Sequence, residues 1–277
     1  MSVLGSVLSK IKSKFIHKEI LPIFVPTNES DLLKDKIVLI TGGNGGIGFA
    51  IAKRAVSVGA KVIICGTNQI KTDKACEELG ENAKGLFLDL ADNKNIEKQI
   101  LEGISLFPEK KIDILVNSAG LHGEWDFFNF IWKDFDKLMA VNVQGTYYVS
   151  QIIAKQMIDK KIKGHILNIS SSSALRPAWT PYQISKWAVN GITKGLADLL
   201  LPYGIIVNAI APGPCATEMV GKKDSKNIYY ENQPAHRYLL PEEVANLAVF
   251  MISDYGNMIV GDTYYISGGS GVISYHK

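Results

Sequence analysis

The sequence predicts an α/β fold: one doubly wound parallel sheet of about seven strands with helices on both faces. Three observations carry that prediction. Seven short apolar runs punctuate the chain, and strands buried on both faces read as such runs. Between them lie stretches long enough for crossover helices, among them 47–58, 93–106, 131–158 and 182–203. The 277 residues, 47% of them hydrophobic, suffice for one large core without forcing a second domain. In order, the expected strands are 37–40, 62–65, 85–88, 112–116, 165–169, 205–209 and 264–266.

Residues 1–33 precede this alternation and form a separate N-terminal arm in the expected partition, with 34–277 as the main domain. Val3, Leu4, Val7, Leu8, Ile11, Phe15 and Ile16 recur at helical spacing with lysines between them, and Pro22 and Pro26 end the pattern. Lys10, Lys12, Lys14 and Lys18 against Glu19 account for the chain's whole net charge of +3. The neutral remainder argues against a nucleic-acid partner. Charges interrupt the apolar positions, so the stretch does not read as a secretory signal. It reads as an arm packing on its own or a partner subunit; contact of residues 1–20 with an anionic membrane surface is the alternative. No run of about 18 apolar residues predicts a transmembrane helix. Cys65, Cys76 and Cys215 show neither a paired framework nor metal-ligand spacing, which fits a reduced, cytoplasmic protein without a metal site.

The first expected strand runs directly into Thr41-Gly42-Gly43-Asn44-Gly45-Gly46-Ile47-Gly48, which opens a helix. Glycines there let the backbone turn tightly and approach a pyrophosphate, and the helix N-terminus offers free N–H groups to it. No Lys-Ser/Thr follows, so the turn predicts a dinucleotide rather than a mononucleotide site. The second strand ends in Cys65-Gly66-Thr67-Asn68. An acidic residue there would hold the ribose 2′-hydroxyl of NAD. Gly66 repels nothing, and Thr67 and Asn68 offer donors to a 2′-phosphate. NADP(H) is therefore favoured over NAD(H), although no arginine stands nearby.

Tyr182 and Lys186 lie four residues apart, on one face of an expected helix. A phenol is a poor acid, with a pKa near ~10, and a neighbouring ammonium lowers it. Such a pair suits general acid–base chemistry near neutral pH.

Together these motifs resemble the short-chain dehydrogenase/reductase family, a Rossmann-like fold, from about residue 34 to 271. The family's glycine pattern matches Thr41, Gly42, Gly46 and Gly48. Its Asn-x-Ala-Gly matches Asn117, Ala119 and Gly120, and its helix asparagine matches Asn142. Its serine strand matches Asn168-Ile169-Ser170-Ser171, its Tyr-x-x-x-Lys matches Tyr182 and Lys186, and its Pro-Gly followed by Thr matches Pro212, Gly213 and Thr217.

The resemblance implies hydride transfer between a nicotinamide cofactor and a carbonyl or secondary alcohol. Asn142, Ser171, Tyr182 and Lys186 would be catalytic. Asp89 and Leu90 would lie at the adenine, and Thr41, Gly42, Asn44, Gly46, Ile47, Gly48, Thr67, Asn68, Asn117, Ala119, Gly120, Tyr182, Lys186, Pro212, Gly213 and Thr217 would meet the cofactor. Asn142 would hold a water linking Lys186 to solvent. Ser171 precedes Tyr182 by 11 residues, a shorter spacing than many members have, and this leaves Ser172 as a rival. The family also implies a homodimer or homotetramer built on the 131–158 and 182–203 helices.

His122 reads as a loop histidine without a catalytic task, and His165 as structural. Glu124, Trp125, Phe127 and Phe128 either wall a substrate pocket or pack. The polar stretch 218–237 is a substrate lid by resemblance and a surface loop otherwise. The expected substrate is a small carbonyl or alcohol, for example a 3-oxoacyl thioester or a sugar acid. The alternative function is a non-catalytic, cofactor-sensing binding protein on the same fold.

Overall fold

The computed structural model describes residues 29–123, 127–218 and 227–273. The arm up to residue 28, Glu124, Trp125 and the charged cluster from Lys222 to Lys226 lie outside them.

The chain alternates strands and helices in the order β1 (Ile37–Thr41), α1 (Gly46–Ser57), β2 (Lys61–Gly66), α2 (Gln69–Leu79), β3 (Ala83–Phe87), α3 (Ile96–Ile104) and β4 (Ile114–Asn117). It continues through α4 (Trp132–Met139), α5 (Thr146–Asp159), β5 (His165–Ile169), α6 (Pro181–Leu200), β6 (Ile206–Pro212), α7 (Pro241–Ile252) and β7 (Thr263–Ile266). All strand pairs are parallel, in the order β3-β2-β1-β4-β5-β6-β7. The sheet is the seven-stranded, doubly wound one expected.

The apolar runs of β1, β2, β4, β5 and β6 are continuous because both sheet faces are covered there, whereas the edge strands β3 and β7 are partly exposed. In β1, Ile37 and Leu39 join a core with Ile96 and Ile100 of α3, Val149 and Ile153 of α5, and Leu196 of α6. Val38 and Ile40 face the other way, toward Ile51 and Ala55 of α1 and Val244 and Ala248 of α7. Each of these isoleucines, leucines and valines contributes roughly 1.5–3 kcal/mol relative to an exposed one. His165 opens β5 in a buried position, where burial lowers its pKa to about 4, consistent with a neutral structural residue.

Three departures from the expected elements have physical causes. The stretch 131–158 is not one α-helix: a π-helical turn, Ala140–Gly145, separates α4 from α5. Such turns re-aim side chains and occur at functional sites. Helix α2 has few apolar positions and is fixed instead by the Asn68 side chain, which accepts from Lys71 N at 2.9 Å. Helix α7 starts at Pro241, where the Glu243 carboxylate accepts from Leu240 N at 2.9 Å.

The chain leaves β1 toward β2 and β3, then returns to β4 on β1's other side. That reversal opens a crevice at the carboxyl ends of β1 and β4, where ligands bind in open α/β sheets.

Candidate active site

The crevice continues into a cavity of about 570 Å³ that runs from the glycine turn after β1 to the start of α6. Gly42, Asn44, Gly46, Ile47, Gly48, Ala119, Gly120, Ser171, Tyr182, Lys186, Pro212, Gly213 and Thr217 line it, as expected from sequence.

Helix α6 sets the reacting end. Pro181 occupies its first turn, Thr180 Oγ1 accepts from Gln183 N at 3.2 Å, and Gln183 Oε1 accepts from Thr180 N at 3.0 Å. This capping box fixes where the helix begins, and hence where Tyr182 stands. Trp187 Nε1 donates to Arg176 O at 2.9 Å, and Trp179 N donates to Gln183 Oε1 at 3.0 Å. These bonds hold the short 174–181 loop against α6, so the reduced spacing still brings Ser171 to Tyr182. Ser171 is the hydrogen-bonding neighbour that lowers the Tyr182 pKa, and both side chains line the cavity. Ser172 instead opens a 3-10 turn, Ser172–Leu175, and Ser170 Oγ donates to Asn190 Oδ1 at 2.6 Å. The His122 ring meets that of Tyr182 edge-on, 4.7 Å between centroids, which gives this loop histidine a packing role in the site.

Lys186 lies 5.6 Å from the Tyr182 ring centroid and donates to Ile169 O at 2.9 Å. Here the structure corrects an expectation. Burial raises the Tyr182 pKa, and the hydrogen bond from Ser171, not Lys186, opposes that rise. Lys186 is itself buried, and desolvation lowers its pKa from 10.5 to about 8. A displacement of that size corresponds to ~3 kcal/mol against the folded protein, since each pKa unit is about 1.4 kcal/mol.

The sign follows from linkage. Below pH 8 both folded and unfolded chains carry the proton and the penalty is complete. Between about 8 and 10.5 the folded state sheds its proton first, and the penalty fades. Lys186→Met should therefore raise the melting temperature by several degrees at pH 7 and by much less at pH 10, read by calorimetry. An unchanged or lowered melting temperature at pH 7 would count against a destabilising buried ammonium.

Asn142 sits in the π turn, 1% exposed. Its Oδ1 accepts from Leu121 N at 2.7 Å, and its Nδ2 donates to Leu121 O at 3.0 Å and Ser185 Oγ at 3.1 Å. These three bonds clamp the loop after β4 to α6. Gly120 lies against both groups: a Cβ there would be 3.5 Å from Asn142 Oδ1 and 3.7 Å from Lys186 Nζ.

The glycine turn fits a dinucleotide phosphate. Gly42 has φ of +65°, and a Cβ on it would stand 2.8 Å from Ala119 Cα. A Cβ on Gly48 would meet Gly42 O at 2.4 Å, so the helix can approach the turn only with glycine there. The N-cap Gly45 puts no side chain over the first N–H groups of α1, leaving them for an anion.

Several predicted contacts stand behind the wall instead of in it. Thr41 Oγ1 accepts from Ser118 N and Ala119 N, both at 3.1 Å. Asn117 Nδ2 donates to Ser150 Oγ and Asn168 Oδ1, both at 2.9 Å. Asn68 is spent as the α2 cap, and Asp89 Oδ1 accepts from Ala91 N at 2.9 Å. Thr67 and Leu90 likewise do not line the cavity; Leu90 is packed against Gly145.

Sequence reasoning missed other lining residues: Lys71, Arg176, Glu218, Tyr230, Tyr238 and Ser270. Lys71 Nζ pairs with Glu218 Oε2 at 2.5 Å beside Gly45. In the described part of the expected polar stretch, Tyr229 and Arg237 form an antiparallel bridge, and Tyr230 stacks on Tyr238 at 4.5 Å. Among the described residues there is no cluster of metal-ligating side chains, and no helix is long and apolar enough to cross a membrane.

The comparisons with known proteins agree with this geometry. The short chain dehydrogenase family model matches residues 36–228. The chain is 36% identical over 245 residues to a 3-oxoacyl-acyl-carrier-protein reductase of Aquifex aeolicus, covering 86% of this chain and 98% of that one. It is 36% identical over 248 residues to a 3alpha-hydroxysteroid dehydrogenase of Mediterraneibacter gnavus, covering 86% and 98%. A solved short-chain dehydrogenase/reductase from Serratia marcescens superposes with a TM-score of 0.79 at 30% identity, covering 87% of this chain and 99% of that one. With its glycine turn at the switch point and its Ser171–Tyr182–Lys186 cluster at the other end of one cavity, the chain belongs to the short-chain dehydrogenase/reductase family and is a nicotinamide-dependent oxidoreductase.

Proposed function

We propose that the protein reduces a ketone to a secondary alcohol with NADPH, with Tyr182 as the general acid and, in the reverse direction, its phenolate as the base. The observation that carries this reading is the meeting of Ser171, Tyr182 and a buried Lys186 in the wall of one cavity. When bound, the cofactor supplies the hydride. The chain's own residues handle the charge. A carbonyl oxygen taking hydride becomes negative; Ser171 donates a hydrogen bond to it and Tyr182 gives it a proton. Lys186, 5.6 Å from the Tyr182 ring centroid, ties α6 to the end of β5 through Ile169 O and so fixes where the phenol stands. Asn142 is a positioning residue, since it fixes the cofactor-side loop to α6.

NADP(H) is favoured because Gly66 ends β2 with no acidic side chain and Lys71 lines the same end of the cavity. The relatives' names support two substrate classes for this chain, a 3-oxoacyl thioester and a hydroxysteroid or its ketone. A gluconate dehydrogenase among them keeps a sugar acid in view. Association as a homodimer or homotetramer, with the exposed Trp187 of α6 in the interface, completes the proposal.

The test follows NADPH and NADH oxidation over a panel of 3-oxoacyl thioesters, oxo-steroids and sugar acids. Turnover of one class supports the reading. Tight cofactor binding with no turnover on any class would favour a cofactor sensor. On the substrate found, Ser171→Ala should lower kcat by about 10²–10³-fold. Ser172→Ala should stay within a few-fold, and the reverse ranking would move the role to Ser172.

A further inference from the structure

We infer that Glu218 is an internal competitor for the 2′-phosphate of NADP(H), holding Lys71 until that phosphate displaces it. The inference rests on the NADP(H) preference proposed above and adds the cation and the group that masks it.

Three observations meet at one corner of the cavity. The Lys71–Glu218 pair closes at 2.5 Å, and the head groups crowd a single glycine. A Cβ on Gly45 would lie 2.9 Å from Lys71 Nζ and 4.0 Å from Glu218 Oε2. Asn44, next in the turn, donates to Thr72 Oγ1 at 2.9 Å, and its amide covers Gly66, where a Cβ would be 2.0 Å from Asn44 Nδ2. The end of β2 thus offers a neutral amide donor and a lysine, with no fixed acid on β2 itself.

Both paired side chains are well exposed, at 40% and 46%. Exposed ion pairs contribute little to stability and exchange partners readily. A phosphate monoester carries about −1.5 to −2 charge and three acceptor oxygens, against one charge and two oxygens on Glu218. It therefore outbids the carboxylate for Lys71. A free ribose 2′-hydroxyl has no charge with which to do so. The pair makes the corner neutral toward NAD(H) and cationic toward NADP(H), and the displacement of Glu218 is what NADP(H) binding must accomplish.

Calorimetric titration of the full chain with adenosine 2′,5′-bisphosphate and with 5′-AMP isolates this corner, because neither probe reaches Tyr182. The wild type should bind the bisphosphate more tightly. Lys71→Gln should shrink that preference by about 10–100-fold, the range for hydrogen bonds to charged groups. Lys71→Arg should keep it, which separates loss of charge from loss of fold. Glu218→Gln should enlarge it by about 1.5- to fivefold.

A wild type with no preference overturns the NADP(H) reading and this inference with it. A wild-type preference that survives Lys71→Gln overturns only the assignment of Lys71. A preference that Glu218→Gln leaves unchanged overturns the competitor role, and one that it reduces overturns that role and makes Glu218 a support for Lys71.

Discussion

Tyr182→Phe should lower kcat for carbonyl reduction by about 10²–10⁴-fold, the range that positioned proton donors supply. The substitution removes one oxygen and little else. The ring keeps its edge contact with His122 at 4.7 Å and its place beside Lys186, and the capping box at Thr180 and Gln183 is untouched. The fold and the cofactor end of the cavity should persist, so the dissociation constant for NADPH, read by fluorescence titration, should move only a few-fold. Ser171 remains to donate to the developing oxyanion, which leaves residual rate above the uncatalysed background. Near-wild-type turnover in the phenylalanine variant would sink the assignment of Tyr182 as proton donor. A loss of cofactor affinity equal to the loss of rate would show a binding role instead.

What was legible in the sequence follows from how local each signal is. The inner strands were legible because both sheet faces are buried there, so Val38 and Leu39 are apolar although they point opposite ways. The glycine turn and the Tyr182–Lys186 spacing were legible because each chemistry lies within one turn of chain. Helices α2 and α7 were harder, since α2 depends on a cap and few apolar positions.

The π turn at Asn142 left no mark in the apolar spacing. Lys71 and Glu218 are 147 residues apart, so their meeting beside Gly45 is a product of the fold. The titration of Tyr182 and Lys186 was misjudged for a related reason. Spacing shows that the two are neighbours but does not show that both are desolvated, and desolvation is the larger influence on each.

Gly66→Asp should shift the ratio of kcat/KM for NADPH to that for NADH toward NADH by about 10²-fold or more. A new Cβ would meet Asn44 Nδ2 at 2.0 Å, so the Asn44 amide must swing away and give up its 2.9 Å bond to Thr72. The obstacle is the end of a flexible side chain, and the lost hydrogen bond costs ~1 kcal/mol, so the fold should tolerate the change. The carboxylate then stands where dinucleotide folds hold the ribose 2′-hydroxyl, and it accepts a charge-assisted bond worth ~1.5–3 kcal/mol from NADH. Toward NADPH it places a negative charge against the 2′-phosphate in the corner that Lys71 serves. Gain and repulsion together exceed the ~2.8 kcal/mol that a hundredfold change requires. Steady-state kinetics with both cofactors give the ratio, and circular dichroism confirms the fold; an unchanged ratio in a folded variant would remove Gly66 from cofactor selection. Combined with Lys71→Gln, the shift should fall short of the sum of the separate effects, because both substitutions act on one phosphate and its loss of favourable contacts can be counted only once.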